Sequence, residues 1–338
     1  MSGAQGHPTM TDAARTRPFA LSLLKLARPK QWAKSVFVLI GPFYGMKDLA
    51  SEGATLADIA IPAFIAAALF ALASSACYVV NDIADRQADR LHPRKRSRPI
   101  ASGAVSVRTA WVYAAILLAL AFGGIFLLDP GVRGWVAITL ALYASNVFAY
   151  SLRVKHIVIA DVMSLAMGFV FRVMGGCAAV GIAPSIWLLN VTLFLAMFLA
   201  FGKRLGERRT LSVAALGVHA IEGDHAASHR PVQRIYTDNL LRMMVVVTGV
   251  ATLMGYAAYV QAKEADHFGE FPLLWLTTLP ATFCLLRSIV LLEHGEFDDP
   301  TELATHDLAF QIGAGAFAVL TAWVLWVGAS GLPDVLPG

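Results

Sequence analysis

Charged side chains are scarce in this chain. Asp, Glu, Lys and Arg make up only 15% of the 338 residues, and apolar residues make up 57%. Soluble domains carry roughly 25% charged and about 45–50% apolar residues, so the polar surface of a water-soluble fold is missing. A mean hydropathy of +0.62 agrees, and the sequence describes an integral membrane protein. Cysteine is also scarce: Cys77, Cys177 and Cys284 stand singly inside apolar runs, which excludes a disulfide scaffold. The apolar runs lack period-two alternation, which excludes a transmembrane β-barrel. The first twenty residues hold Arg15 and Arg17 but no apolar core of signal-peptide type, so no cleavage on export is expected. Positive charge is in mild excess, with a pI near 9.0. That excess suits phosphate or nucleic acid, and the placement of the basic residues decides between them.

A bilayer core of roughly 30 Å takes about 20 helical residues. Eight runs meet or approach that length: 57–80, 109–128, 135–149, 157–181, 185–201, 240–260, 271–292 and 308–327. The run 135–149 is short and needs flanking residues or tilt. A ninth, 35–46, has only twelve residues and contains Pro42. Charge decides its status. The region up to Lys34, the stretch Arg86 to Arg108, the pair Arg153 and Lys155, and the stretch Lys203 to Arg242 hold 22 of the 27 basic residues. Basic loops stay cytoplasmic. The first two clusters then share a side, so the short segment must cross, extended by 21–34. The expectation is an all-α polytopic bundle of nine transmembrane helices, N-terminus cytoplasmic and C-terminus external. Residues 1–20 form a polar tail, 21–330 one transmembrane domain and 331–338 a short external tail. Nucleic acid is excluded as a partner, because the basic residues line loops between helices and build no separate base-stacking domain.

The second long run ends in Asn81-Asp82-Ile83-Ala84-Asp85-Arg86-Gln87-Ala88-Asp89. Spacings of three and four put Asp82, Asp85 and Asp89 on one helical face. Clustered carboxylates repel one another unless a cation lies between them. Mg²⁺ suits them, because it takes one or two carboxylates and completes its shell with water and phosphate oxygens. The bland alternative is a charged helix end neutralised by Arg86 and Arg90. The next residues favour the metal: Arg94, Lys95, Arg96 and Arg98 sit between Pro93 and Pro99. Metal with Lys and Arg is equipment for holding a diphosphate as it leaves. His92 beside Pro93 reads as a turn residue, with metal ligation the sharper alternative.

These residues carry a resemblance. The NDxxDxxxD pattern at residues 81–89 resembles the UbiA-type prenyltransferase superfamily. Arg28-Pro29-Lys30-Gln31-Trp32-Ala33-Lys34, His92-Pro93 through Arg98-Pro99-Ile100-Ala101-Ser102-Gly103, Tyr150-Ser151-Leu152-Arg153-Val154-Lys155 followed by Asp161, Gly202-Lys203-Arg204 and Asp299-Pro300-Thr301-Glu302-Leu303 are similar to one branch, the decaprenyl-phosphate phosphoribosyltransferases. The aromatic prenyltransferases of the superfamily carry a second aspartate-rich motif between the sixth and seventh helices. Here Gly202-Lys203-Arg204-Leu205-Gly206-Glu207-Arg208-Arg209 opens that loop without one.

The resemblance implies transfer of 5-phosphoribose from 5-phospho-α-D-ribose 1-diphosphate (PRPP) to a polyprenyl phosphate, with release of diphosphate. It implies a multi-pass protein of a bacterial plasma membrane, with its site on the cytoplasmic side. Asp82, Asp85, Lys95, Arg98 and Lys155 are the expected catalytic residues, and Asp82, Asp85 and Asp89 the Mg²⁺ ligands. Lys34, Asn81, Arg94, Tyr150, Asp161, Lys203 and Arg204 are expected to hold donor or phosphate. Three of these have a plainer role available: interfacial anchoring for Lys34 and Tyr150, and pairing with Lys155 for Asp161. Arg172 lies in mid-span, where ionisable groups face a cavity or a partner. It is about 16 Å by helical rise from Asp161, too far to pair with it directly. Gly175-Gly176 beside it suits close helix packing. Asp298, Asp299 and Glu302 read as a helix start. The competing enzyme reading is transfer of a prenyl group from a prenyl diphosphate to an aromatic or other acceptor. A transporter accounts for the spans but not for the carboxylate face and the basic stretch after it. Oligomeric state does not follow from the sequence.

Overall fold

The computed structural model describes residues 18–91, 95–217, 235–267, 273–294 and 307–330. Arg94, Asp298, Asp299 and Glu302 lie outside the described residues. The described residues form helices and turns, with no strand among them.

The chain opens with α1 (Phe19–Ala27), stopped by Arg28 in the left-handed region at φ 52°. A 3₁₀ segment, Pro29–Ser35, leads into α2 (Val36–Tyr44) and α3 (Met46–Ser51). The first crossing expected from sequence is therefore not one continuous helix. Arg28, the 3₁₀ segment starting at Pro29, and Pro42 inside α2 divide it. Helix α4 (Leu56–Ala84) starts on a capping box between Thr55 and Asp58, and the short α5 (Arg86–Leu91) follows it. Helix α6 (Val107–Gly123) is capped by Ser106. Helix α7 (Pro130–Leu152) has 23 residues, longer than its apolar run, because Asp129 caps it and Pro130 opens its first turn. Then come α8 (Ala160–Ala179), α9 (Ile186–Gly217), α10 (Asp238–His267), α11 (Thr278–His294) and α12 (Leu308–Ser330).

Among the described residues, seven helical stretches, from α4 through α11, are long and apolar enough to cross a bilayer. Nine crossings are expected from the sequence, and the difference lies at the two ends, in the broken first segment and in α12, a 23-residue apolar helix of which only Leu308–Val324 counts among the fully described residues. Helix α8 is the most enclosed, with 61% of its apolar window buried against 28–44% in the other six. It packs on α2, α4, α7 and α9, so it runs through the middle of the bundle. Small residues make this possible. A Cβ on Gly176 would stand 1.7 Å from the Val38 carbonyl oxygen, so α2 and α8 touch backbone to backbone there. Phe70 and Tyr143 join α4 and α7 in one apolar cluster, and Phe198, Phe201, Leu241 and Val245 join α9 and α10 in another. Large apolar residues such as Phe64, Trp135, Val250 and Val319 point outward, as lipid-facing residues must.

Candidate active site

The last turns of α4 present Asn81, Asp82 and Asp85, and Asp85 caps the helix at its C-terminus. The Asp89 N–H still bonds to the Asp85 carbonyl at 2.8 Å, so α5 continues nearly in line and Asp89 keeps its place on the same side. Cations from other elements answer the carboxylates. Arg28 and Arg98 both donate to Oδ1 of buried Asp82, and Arg98 also reaches Asp89 at 2.7 Å. Lys155 donates to Asp85 Oδ1, and the Asn81 amide donates to Asp85 Oδ2 at 3.1 Å. The neutralising residues are thus Arg28, Arg98 and Lys155, whereas Arg90 turns away to the Ala101 carbonyl at 3.1 Å.

Beside this network lies a cavity of about 240 Å³ between α4, α7 and α8. Among the described residues, five basic side chains line it, Arg28, Lys34, Lys95, Arg98 and Arg172, with Asp85 as the one acidic lining residue. Asn81 and Tyr150 border it as well. A second cavity of about 400 Å³ lies beyond, with Asp85, Lys95 and Ser151 shared between the two and Asp89, Lys155 and His156 on its own walls. Of the residues expected from sequence, Lys34, Asn81, Asp85, Lys95, Arg98, Tyr150 and Lys155 border one or both cavities. Asp82 and Asp89 are joined to them through Arg98.

Three residues take another place. Asp161 does not reach Lys155. It is buried and pairs with Arg204 at 2.7 Å, accepts from the Tyr236 hydroxyl at 2.8 Å, and accepts from the Val162 N–H. Arg204 stacks over the Tyr236 ring at 5.2 Å. Burial pushes the Tyr236 hydroxyl up to about 12, so it remains a donor. The same oxygen accepts the Ile159 N–H at 2.7 Å, which holds Ile159 at φ 69°, a strained angle for a β-branched residue. Asp161 and Arg204 therefore lock α8, α9 and the start of α10 together behind the site. Lys203 is exposed and lines neither cavity.

The inner part of the larger polar lining was not legible as a site in the sequence. Ser74, Tyr78, Tyr143, Asn146 and Ser164 all face the first cavity from inside apolar helices. Singly they look like ordinary helix residues. Arg172 was the one visible signal, as a charge in mid-span.

Among the described residues, no three His, Cys, Asp or Glu side chains gather into a ready metal cage. The donor chemistry nevertheless suits Mg²⁺, which binds hard oxygens and needs only one or two protein carboxylates when phosphate supplies the rest. Asp85 fits that role best. It faces both cavities and is 26% exposed, held by Lys155 and Asn81, whereas Asp82 and Asp89 are buried against arginines.

A family of known proteins shares this frame. Residues 40–293 match the UbiA prenyltransferase family. A decaprenyl-phosphate phosphoribosyltransferase of Corynebacterium glutamicum is 32% identical over 305 residues, covering 90% of this chain and 87% of its own. One from Mycobacterium tuberculosis is 28% identical over 328 residues, covering 95% of this chain and 99% of its own. A solved UbiA homologue from Archaeoglobus fulgidus, bound to GPP and Mg²⁺, superposes with a TM-score of 0.63 at 17% identity, covering 90% of this chain and 99% of its own. The chain belongs to the UbiA prenyltransferase family and is a multi-pass membrane protein.

Proposed function

We propose that this protein is a membrane phosphoribosyltransferase. It moves 5-phosphoribose from PRPP to a polyprenyl phosphate and releases diphosphate. The observation that carries the reading is the cavity lining, five basic side chains against one acidic one. That lining suits a ligand with several separate phosphate charges better than one diphosphate on an apolar tail. The two relatives named as decaprenyl-phosphate phosphoribosyltransferases, which cover most of the chain, point the same way.

In the reaction, the bond from the anomeric carbon to the diphosphate oxygen breaks and the electron pair leaves with diphosphate. An oxygen of the lipid phosphate forms the new bond from the opposite face. That phosphate is already ionised at pH 7, so no side chain has to take a proton. Arg98 and Lys95 hold diphosphate oxygens as charge builds on them. Lys155, Lys34 and Tyr150 position the phosphates, and Arg94 joins the basic stretch. Arg204 acts through its hold on Asp161, and Lys203, exposed on the same helix, stands outside both cavities. Mg²⁺ bound at Asp85, with Asp82 and Asp89 beside it, would neutralise the departing diphosphate.

The site is read as cytoplasmic, in a bacterial plasma membrane crossed nine times, N-terminus inside and C-terminus outside. Two observations support the count at the N-terminal end. Lys34 lines the cavity at one end of the bundle, and Asp48 pairs at 3.1 Å with Lys263, near the other end of α10. The segment 34–48 thus reaches from end to end. The test is to incubate purified protein with polyprenyl phosphate, labelled PRPP and Mg²⁺. A lipid product keeping the ribose label and its 5-phosphate, with diphosphate released, is the expected result. Consumption of a prenyl diphosphate with an aromatic acceptor, PRPP being ignored, would instead establish prenyl transfer.

A further inference from the structure

Arg172 is a buried cation with no anionic partner among the described residues, lying over the rings of Tyr143 at 4.5 Å and Phe169 at 5.6 Å. It sits in the middle of α8, 4% exposed, and no carboxylate among the described residues pairs with it. Its guanidinium donates to the Gly168 carbonyl at 3.0 Å, the Ser74 hydroxyl at 3.3 Å and the Tyr143 hydroxyl at 2.8 Å, all neutral groups. Its Nε is buried with no acceptor. An arginine keeps its proton even in such surroundings. A charge buried without a counter-ion is strongly unfavourable, and the natural remedy is an anionic ligand. The residue lines the cavity, so a ligand can reach it.

Its depth identifies the ligand. Arg172 bonds to Ser74, eleven residues before Asp85 on α4, which is about 16 Å along the helix. Asp85 and Lys155 mark the level at which a lipid phosphate meets water. A phosphate tethered to an apolar tail belongs at that level. A soluble sugar phosphate can instead enter with one phosphate leading and leave its diphosphate beside Asp85, Lys95 and Arg98. A prenyl tail entering the same way would seal an uncancelled guanidinium against hydrocarbon.

We infer that Arg172, held by Ser74 and Tyr143, forms a second phosphate subsite at the inner end of the cavity, takes the 5-phosphate of the phosphoribosyl donor, and thereby excludes prenyl diphosphates. The inference rests on the phosphoribosyl reading above, and the experiment separates the two. Binding of ribose 5-phosphate and of inorganic diphosphate is measured by calorimetry on the protein in nanodiscs. In the unaltered protein both bind, and saturating diphosphate leaves the Kd of ribose 5-phosphate within about threefold, because the two occupy opposite ends. Arg172→Gln weakens ribose 5-phosphate and raises the PRPP KM by about ten- to a hundredfold, the range of one charge-assisted contact. Diphosphate affinity and the KM for polyprenyl phosphate stay within about twofold, and Arg172→Lys recovers part of the loss. If Arg172→Gln does not insert, Tyr143→Phe serves instead, with a few-fold loss for ribose 5-phosphate and none for diphosphate. Mutually exclusive binding of the two fragments, equal loss of both in the variant, or a rise only in the lipid KM each overturns the subsite. An unchanged PRPP KM in Arg172→Gln, with phosphoribosyl transfer intact, removes the subsite and keeps the function. Turnover of a prenyl diphosphate with no binding of PRPP removes both.

Discussion

Asp85 faces two cavities at once, and its neighbours on either side do not. Asp82 is 3% exposed and holds Arg28 and Arg98, so its removal strands Arg28 and leaves Arg98 with Asp89 alone. The two alanine variants should therefore fail differently. Asp85→Ala should lose turnover with a smaller drop in thermal unfolding in detergent than Asp82→Ala, because Asp85 is 26% exposed and leaves only Lys155 unpaired, and chelation should reproduce the loss of turnover reversibly. Asp82→Ala should lose turnover and also unfold earlier, because breaking a buried ion pair costs about 3–5 kcal/mol. Full activity of Asp85→Ala, or of the enzyme in chelator, would reduce the aspartates to a charged helix end. The lysines separate in a similar way. Lys155 borders the second cavity and bonds to Asp85, so Lys155→Ala should cost about 1.5–3 kcal/mol, a ten- to hundredfold loss in kcat/KM. Lys203 is exposed and borders neither cavity, so Lys203→Ala should stay within about threefold. A larger effect at Lys203 than at Lys155 would show that the lipid phosphate sits elsewhere.

At the scale of elements, the sequence was most legible where one rule dominated. Apolar length announced α4 and α6 to α11, and the i, i+3, i+4 spacing announced the carboxylate face. It was least legible where distant residues decided the outcome. The break at Arg28 shows this: Pro29 marks the stop locally, but nothing local says that the left-handed backbone of Arg28 aims its guanidinium at Asp82, 54 residues on. Asp161 likewise resembled a site residue by position, since its partners Arg204 and Tyr236 lie 43 and 75 residues away and no spacing rule connects them. The polar residues around Arg172 were invisible for the same reason, coming in ones and twos from α4, α7 and α8. The Asp161–Arg204 pair carries its own prediction. Asp161→Asn or Arg204→Met alone leaves one buried charge uncompensated, and each should lower stability by about 3–5 kcal/mol. The double variant should lose less than the sum, because no charge is left stranded. Thermal unfolding of the four proteins in detergent reads the coupling, and strict additivity would mean that the pair does not hold α8 to α9.

For the whole molecule, the four basic clusters of the sequence meet at one end of the bundle. Lys25 bonds to the Ser97 carbonyl at 3.2 Å, Arg28 and Arg98 share Asp82, Lys155 takes Asp85, and Arg204 takes Asp161 one helix further on. Asp48 and Lys263 meet at the opposite end, where the sequence carries few basic residues. Basic loops are retained in the cytoplasm, so this segregation supports the proposed orientation, in which the site faces the compartment that supplies a soluble, polyanionic donor. Single cysteines on a background in which Cys77, Cys177 and Cys284 are replaced should report it. Positions 94 and 223, both outside the described residues, should label from the cytoplasmic side only. Position 131 and the C-terminus should label from the outside. An external label at 94 would invert the bundle, leave five basic side chains and their cavity facing away from the donor, and sink the functional reading together with the orientation. A cytoplasmic label at the C-terminus with 94 still inside would change only the number of crossings after position 94, and would place the missing one at α12.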